Sequence, residues 1–228
     1  FAEEVLAILI SALFICVVVF EIFMPFIILI FAPGFLNKPE HFDLTVQLTR
    51  LTFPYLLFIS LVSLMGGILN SLGRFTAVAS TPILLNLCLI GAILIFSRYV
   101  STPGHALAWG VSLAGILQFL WVFVALKNAG VKLKLKLPKF NNRVHSLFKL
   151  MLPGIFGAGV IQINLLADVI FASLLSEGSI SYLYYADRIN QLPVGVFGVA
   201  IGTALLPLLS KHISAGSYSE AMPILNRA

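Results

Sequence analysis

The chain has 228 residues, of which 60% are hydrophobic and only 10% are charged, and its mean hydropathy is +1.04. A soluble domain has about half apolar and a quarter charged residues, so this composition excludes an ordinary soluble enzyme or binding domain. The formal net charge of +5 is concentrated in one segment, which bears on orientation in a membrane.

Long apolar stretches follow one another along the chain. A helix crosses the hydrocarbon core with about 20 consecutive apolar residues, whereas the strands of an outer-membrane barrel are short and alternating. The sequence therefore predicts an all-α polytopic membrane protein. It opens with FAEEV rather than Met and carries no recognisable signal peptide, and we expect it to be a piece of a longer protein. The expected spans are roughly 5–32, 51–72, 77–97, 105–126, 147–176 and 180–210.

The first span contains an acid and a proline. Glu21 lies four residues before Pro25. Proline has no N–H to bond the carbonyl of residue 21, so we expect a kink there. Burying an unpaired carboxylate is costly, which favours a structural role for Glu21, protonated or paired against other helices. A functional role for Glu21 stays open.

Small and polar residues in the next three spans indicate helix packing. Gly66 and Gly67 provide the close contact surfaces on which membrane helices associate. Asn86 and Gln118 lie in the middle of the third and fourth spans. Either amide could line a cavity, but hydrogen bonds between helices are the commoner use of such groups.

Half of the basic residues lie in one connection. The segment 127–149 carries seven of the fourteen Lys and Arg residues and no acid. By the positive-inside rule this connection is cytoplasmic, and its length marks a divide between a four-span block and a later two-span block. The same rule places the turn at 73–75 and the tail from Lys211 inside, and the connections at 33–49, 98–104 and 177–181 outside.

The stretch VKLKLKL at 131–137 alternates strictly between apolar and basic residues. Such alternation predicts a short exposed strand or an extended linker close to anionic headgroups. Without interleaved aromatic residues it does not favour nucleic-acid binding.

The fifth span combines a bendable first half with polar residues deeper in. Pro153 and Gly154 predict a hinge. Asn164 and Asp168 are four residues apart and share a helical face, close to Gln162. An Asp at this depth should face protein or water, and we favour the lining of a cavity over internal packing.

The sixth span contains YLYYADRINQLP at 182–193, with Asp187 and Arg188 about 10 Å into the span. Adjacent helical residues point about 100° apart, so the two are not simply each other's ion pair. Pro193 and Gly195 predict a second bend, tolerated where protein or water lines the helix. The face of Arg188 also carries Ser181, Tyr184, Gln191 and Gly195.

Two hypotheses for the role of Arg188 are open. One is a structural salt bridge between helices. The favoured one is capture of an anion, most simply a phosphate, in a water-filled cavity, because the guanidinium fork matches phosphate oxygens.

Two stretches carry a resemblance to a known family. Residues 162–212, QINLLADVIFASLLSEGSISYLYYADRINQLPVGVFGVAIGTALLPLLSKH, and residues 50–86, RLTFPYLLFISLVSLMGGILNSLGRFTAVASTPILLN, resemble the MurJ/MviN family of bacterial lipid II flippases. The resemblance covers essentially the whole chain. It implies a two-lobe, MATE-like transporter of fourteen spans, of which this chain would hold spans three to eight.

The resemblance also implies an organisation of the chain. Residues 1–126 would be the last four spans of the N-lobe and 127–149 the basic cytoplasmic linker between lobes. Residues 150–212 would begin the C-lobe, and 213–228 would start a cytoplasmic segment. Arg188 would fall on a cavity arginine, with Asp187, Ser181 and Gln191 on cavity-lining or supporting positions.

The expected function is a flippase that moves undecaprenyl-diphosphate-linked peptidoglycan precursor to the outer leaflet of the bacterial inner membrane by alternating access. The cavity would be lined by Arg188, Asp187, Ser181, Tyr184, Gln191, Gln162, Asn164 and Asp168, with hinges at Pro153, Gly154, Pro193 and Gly195. Alternatives are a flippase for another prenyl-diphosphate glycan, a drug exporter of the same fold, a membrane enzyme acting on prenyl phosphates, or a scaffold for cell-wall enzymes.

No catalytic chemistry, metal or cofactor is expected. The four histidines have no metal-ligand spacing, and no nucleophile–base pair stands out. Cys16 and Cys88 lie in apolar spans, where they behave as small hydrophobic residues. The expected partners are lipid II or a similar prenyl-diphosphate glycolipid, membrane lipids and cell-wall synthesis enzymes, with no nucleic acid.

Overall fold

The computed structural model describes residues 2–131, 133 and 142–193, and this part of the chain consists of helices and the segments that join them, with no strand. Five helices or helix pairs in that part are long and apolar enough to cross a membrane. The all-α, multi-pass membrane architecture is thereby confirmed. Their bounds are Ala2–Ile22, Pro39–Ser71, Thr76–Phe96, Pro103–Asn128 and Val144–Ser173.

The first span is interrupted near its proline. Helix α1 covers Ala2–Ile22 and helix α2 covers Met24–Phe31, with Phe23 between them in a non-helical conformation. Pro25 lacks the N–H that would bond the carbonyl of Glu21, so one hydrogen bond of the helix is missing at this point. The predicted kink is confirmed.

The region 33–49, predicted to be a connection outside the membrane, is largely helical, and its placement outside stays a prediction. A 3-10 turn over Pro33–Asn37 leads directly into helix α3, Pro39–Thr52. Val46 of α3 is buried against Met24 and Ile28 of α2, with Phe42 and Phe53 alongside. This packing stabilises a helix whose polar residues read as a loop in the sequence.

Helix α3 continues into helix α4, Tyr55–Ser71, through Phe53 and Pro54, which both keep α-helical backbone angles. A short helix α5 spans Thr76–Ala79, and helix α6 spans Thr81–Gly91. A π-helical turn over Ala92–Phe96 extends α6 to the end of the third span.

Helix α7, Pro103–Asn128, is the central element of this part of the fold, packing against α3, α4 and α6. Thr102 caps its N-terminus by accepting a bond from the backbone N–H of His105 at 3.4 Å, and Pro103 occupies the first turn. The main buried cluster joins α1, α4 and α7 through Leu6, Leu61, Val62, Met65, Leu69, Val122 and Leu126.

Glycines set how closely the helices approach. A Cβ at Gly115 would lie 2.8 Å from Cδ2 of Tyr55 on α4, and one at Gly110 would lie 2.7 Å from Cβ of Ala92. A Cβ at Gly66 would be 3.2 Å from the methyl groups of Val78, whereas one at Gly67 would meet nothing within 4 Å. The predicted packing role is therefore confirmed for Gly66 and not for Gly67.

Gln118 joins three helices. Its side chain is 2% exposed, accepts a hydrogen bond from the Tyr55 hydroxyl at 3.1 Å and donates to the Thr81 carbonyl at 2.8 Å. The expected interhelical bonding of Gln118 is confirmed. Asn86 is exposed and makes no hydrogen bond through its side chain to any described residue.

Helix α8 covers Asn142–Ser173 and helix α9 covers Ser179–Pro193, separated by a turn in which Gly178 has φ +90°. The chain divides into two compact units, Phe1–Ile170 and Phe171–Ala228.

Some predictions fall outside the described residues. They include most of the alternating stretch 131–137, of which Val131 and Leu133 alone are described and pack against the main buried cluster. They also include Gly195 and the second half of the sixth span. The lobe organisation and its linker at 127–149 stay predictions.

Candidate functional site

Helix α9 brings four of the predicted site residues together on one surface. The sequence YADRINQ places Tyr184, Asp187, Arg188 and Gln191 at spacings of three and four, so their side chains are neighbours along the helix. We call these four residues the α9 cluster.

Gln191 lies between the two charged residues of the α9 cluster and bonds to both. Nη1 of Arg188 donates to Oε1 of Gln191 at 3.0 Å, and Nε2 of Gln191 donates to Oδ2 of Asp187 at 2.6 Å. Asp187 and Arg188 make no direct ion pair with each other in this arrangement, as their helical positions predicted. A neutral amide thus fixes both the cation and the anion.

Tyr184 supports the guanidinium from one side. The Cζ atom of Arg188 lies 5.0 Å from the centre of the Tyr184 ring, within the range of a cation–π contact. Tyr184 also makes an edge-to-face contact with Tyr185, the ring centres being 6.0 Å apart. Arg188 is exposed, and a guanidinium has five N–H donors, so donors remain for a ligand.

The polar residues of α8 are placed differently. Gln162, Asn164 and Asp168 are all exposed, and Asn164 and Asp168 are one helical turn apart. Within the described part of the chain, no side-chain hydrogen bond joins those two residues. They lie in the first compact unit and the α9 cluster lies in the second. Their membership of one cavity stays a prediction.

The positions of Ser181, Pro153, Gly154 and Pro193 within helices do not test the roles predicted for them. Ser181 is exposed on α9, two residues after the start of the helix. Pro153 and Gly154 lie inside α8, which is helical through both, and Pro193 is the last residue of α9. A Cβ at Gly154 would meet nothing within 4 Å. Their hinge role stays a prediction.

Two polar contacts in the first unit were not specified by the sequence. Oε2 of Glu21 lies 4.0 Å from Nε of Arg50, so the acid of the first span is paired with the last turn of α3. Nη1 of Arg74 donates to the carbonyl of Asn128 at 3.2 Å. The sequence did not identify Arg50 as the partner of Glu21, because that pairing depends on how two distant segments pack.

Comparison with known proteins points to one family. The family model described as "Lipid II flippase MurJ" matches residues 1–228. The chain is 43% identical over 232 residues to a probable lipid II flippase MurJ of Rhizobium tropici, covering 100% of this chain and 43% of the relative. It is 39% identical over 228 residues to a probable lipid II flippase MurJ of Rickettsia prowazekii, covering 100% of this chain and 45% of the relative.

A third relative is named without qualification. The chain is 38% identical over 192 residues to the lipid II flippase MurJ of Burkholderia cenocepacia, covering 82% of this chain and 37% of the relative. In each case the chain spans less than half the length of the relative that it matches.

Proposed function

Since the chain belongs to the lipid II flippase MurJ family, we propose that it forms part of a flippase for a prenyl-diphosphate-linked peptidoglycan precursor. The precursor, lipid II, is moved from the inner to the outer leaflet of the bacterial inner membrane by alternating access. The family resemblance seen in the sequence is confirmed by the match over residues 1–228.

The physical task of such a protein is electrostatic. A diphosphate with its attached sugars cannot enter hydrocarbon alone, because its charges and hydroxyl groups would lose their water. A cavity lined by cationic and polar side chains replaces that water, and the prenyl tail stays in lipid. Alternating access then requires rocking of the lobes around the bound headgroup rather than bond making or breaking. Such a protein acts as a transporter.

The exposure and the contacts of Arg188 are the main support for the proposal. Its guanidinium is exposed, is bonded to a neutral amide instead of a carboxylate and is braced on the Tyr184 ring. A guanidinium in this state keeps its charge and donors for a diphosphate oxygen, with which it forms charge-assisted hydrogen bonds. Asp187 acts on Arg188 through Gln191 as a positioning residue.

The remaining polar residues complete the proposed site. We propose that Ser181 and Tyr184 of α9 bond sugar or phosphate oxygens of the precursor. Gln162, Asn164 and Asp168 of α8 are further proposed contacts for its polar groups. Pro153, Gly154, Pro193 and Gly195 allow the helices to bend as the cavity changes the side to which it opens.

The test is substitution of Arg188 in the full-length protein. Arg188→Ala should abolish display of the precursor on the outer leaflet, and Arg188→Lys should retain part of it because the charge is kept without the fork. Arg98→Ala, at an exposed arginine before α7, is the matched control and should behave as the unmodified protein.

Three results would contradict the proposal. Normal outer-leaflet display in Arg188→Ala would remove the role of the guanidinium. Display that fails while another prenyl-diphosphate glycan accumulates inside would indicate a different substrate. Loss of growth with normal display would indicate a scaffolding role.

A further inference from the structure

An open surface pocket lies in the first unit, and the proposed transport site uses none of its residues. It has a volume of about 340 Å³ and lies where the C-terminal ends of α4 and α7 meet. Leu69, Ala77 and Ala125 form its apolar walls, and Arg74, Thr76 and Asn128 supply its polar rim. We call it the Arg74 cleft.

Two glycine turns build the Arg74 cleft. Gly73, with φ +72°, ends α4 and lets the Arg74 N–H bond the Leu69 carbonyl at 2.9 Å. Gly130, with φ +82°, ends α7 in the same way, the Val131 N–H bonding the Leu126 carbonyl at 3.2 Å. Both turns are of the Schellman type, which satisfies the last carbonyls and redirects the chain. The first turn directs Arg74 towards the end of α7.

The rim of the Arg74 cleft has unused hydrogen-bond donors. Nη1 of Arg74 donates a hydrogen bond to the Asn128 carbonyl at 3.2 Å, and the guanidinium has further N–H groups that can donate. The Thr76 hydroxyl and the Asn128 side-chain amide make no hydrogen bond to any other described residue. A guanidinium, a hydroxyl and an amide therefore converge on one apolar-walled cavity.

The charges around the Arg74 cleft favour an anionic ligand. No carboxylate lines the Arg74 cleft. Lys127 precedes Asn128, and the basic segment 127–149 continues from there with no acid. A basic cluster next to a membrane-spanning helix attracts the anionic headgroups of the leaflet.

The surroundings place the Arg74 cleft at headgroup depth. Nε1 of Trp121, one and a half turns before Lys127 on α7, donates to Oγ of Ser80 at 2.9 Å and lies 3.2 Å from the Ala77 carbonyl. Trp is enriched at the membrane–water interface, where its ring is apolar and its N–H is bonded. Phe75, beside Arg74, is 61% exposed. A ligand with a phosphate head and an apolar body fits this combination of rim and walls.

We propose that the Arg74 cleft binds the phosphate group of an anionic membrane phospholipid, with Arg74 on the phosphate and Thr76 and Asn128 bonding the remaining headgroup oxygens. The bound lipid bridges the ends of α4 and α7. The site is separate from the α9 cluster, so failure of this proposal leaves the flippase proposal intact.

The experiment uses the full-length protein in phosphatidylcholine nanodiscs that contain a photoactivatable phosphatidylglycerol. Crosslinking should map to the residues around 69–77 and 121–128. Arg74→Ala should lower crosslinking about tenfold, the effect of losing a charged hydrogen bond. Arg98→Ala, in the turn before the N-terminus of α7, should leave it unchanged.

A second variant separates lipid binding from helix capping, because Arg74 also bonds the end of α7. Thr76→Val keeps Arg74 and its bond to Asn128, and it should lower crosslinking about threefold with an unchanged unfolding temperature. If Arg74→Ala fails to fold, Thr76→Val decides the matter alone. Crosslinking that is unchanged in Thr76→Val overturns the proposal.

Two competition arms identify the source of the phosphate. Unlabelled phosphatidylglycerol should displace the probe, and millimolar inorganic phosphate should not, since the apolar walls contribute only to lipid binding. Equal displacement by inorganic phosphate, or equal labelling by a photoactivatable phosphatidylcholine, would overturn the assignment to an anionic lipid.

Discussion

Arg188 donates a hydrogen bond from Nη1 to Oε1 of Gln191 at 3.0 Å, so a neutral side chain holds the guanidinium. The same amide donates to Asp187 at 2.6 Å. Replacing Gln191 therefore changes the position of Arg188 without removing its charge, which separates positioning from substrate contact.

We expect Gln191→Leu to lower the rate of precursor flipping about fivefold, since one hydrogen bond of about 1 kcal/mol no longer orients the guanidinium. Gln191→Glu pairs Arg188 with a carboxylate and sets that acid one turn from Asp187, so it should lower the rate at least as much as Gln191→Leu does. Flipping in vesicles containing the full-length protein measures both. A full rate in Gln191→Leu would show that the amide does not position Arg188.

Gln118 should contribute to stability and not to transport. Gln118→Leu removes the bonds to Tyr55 and to the Thr81 carbonyl in a side chain that is 2% exposed. Hydrogen bonds between membrane helices contribute about 0.6 kcal/mol on average, so we expect a loss of about 1 kcal/mol for the pair of bonds. Unfolding of the reconstituted protein in denaturant measures this loss.

A double-mutant cycle isolates one bond of Gln118. Tyr55→Phe alone should cost about 0.6 kcal/mol and should add little to Gln118→Leu, because both changes remove the same hydrogen bond. Fully additive costs would mean that the two residues are not coupled.

Replacing Arg50 and replacing Glu21 should lower the stability of the protein by different amounts. Oε1 of Glu21 is buried without a hydrogen-bond partner, and Oε2 lies 4.0 Å from Arg50, whose side chain is 46% exposed. Arg50→Ala leaves a carboxyl group alone within the span, whereas Glu21→Ala leaves an arginine that can extend to the interface. We therefore expect Arg50→Ala to destabilise the protein more than Glu21→Ala does.

The double variant Glu21→Ala with Arg50→Ala supplies the check on that asymmetry. It should be more stable than Arg50→Ala alone, because the unpaired acid has been removed. Thermal unfolding of the three variants in one detergent gives the order. A double variant less stable than either single one would contradict this account of the pair.

Gly115 and Gly67 form a matched pair of glycines inside helices. A Cβ at Gly115 would lie 2.8 Å from Tyr55 and 3.2 Å from Cβ of Phe58, so Gly115→Ala must push α4 away from α7. We expect a cost of about 1–3 kcal/mol for that change. Gly67→Ala meets nothing within 4 Å and should be neutral or stabilising by up to about 1 kcal/mol through helix propensity.

Unfolding in denaturant compares the two glycine variants directly. Equal costs for Gly115→Ala and Gly67→Ala would mean that the close approach of α4 and α7 is not a determinant of stability.

Local chemistry explains what the sequence could predict. The interruption of the first span follows from one missing N–H, that of Pro25, and the helix breaks two residues before it. The bridge through Gln191 also follows from local spacing, since its partners lie three and four residues away on one helix.

Contacts between distant segments explain what the sequence could not predict. Gln118 finds Tyr55 and Thr81 across separations of 63 and 37 residues, and those choices depend on how the helices pack. Helix α3 was missed because Glu40, His41 and Asp43 give its start a polar appearance, while Val46 packs on residues of α2. The Arg74 cleft was missed because it forms where two helix ends meet.

The near-continuous pair α3–α4 also has a mechanical consequence. Together the two helices span 33 residues, which is about 50 Å of rise for a hydrocarbon layer about 30 Å thick. With α4 anchored among α1 and α7, the surplus length falls on the start of α3, whose Glu40 and Asp43 favour an aqueous setting. The end of α3 that carries Glu40 and Asp43 therefore extends beyond the hydrocarbon layer on the side opposite Lys127, packed against α2 and within reach of water-soluble labels and antibodies.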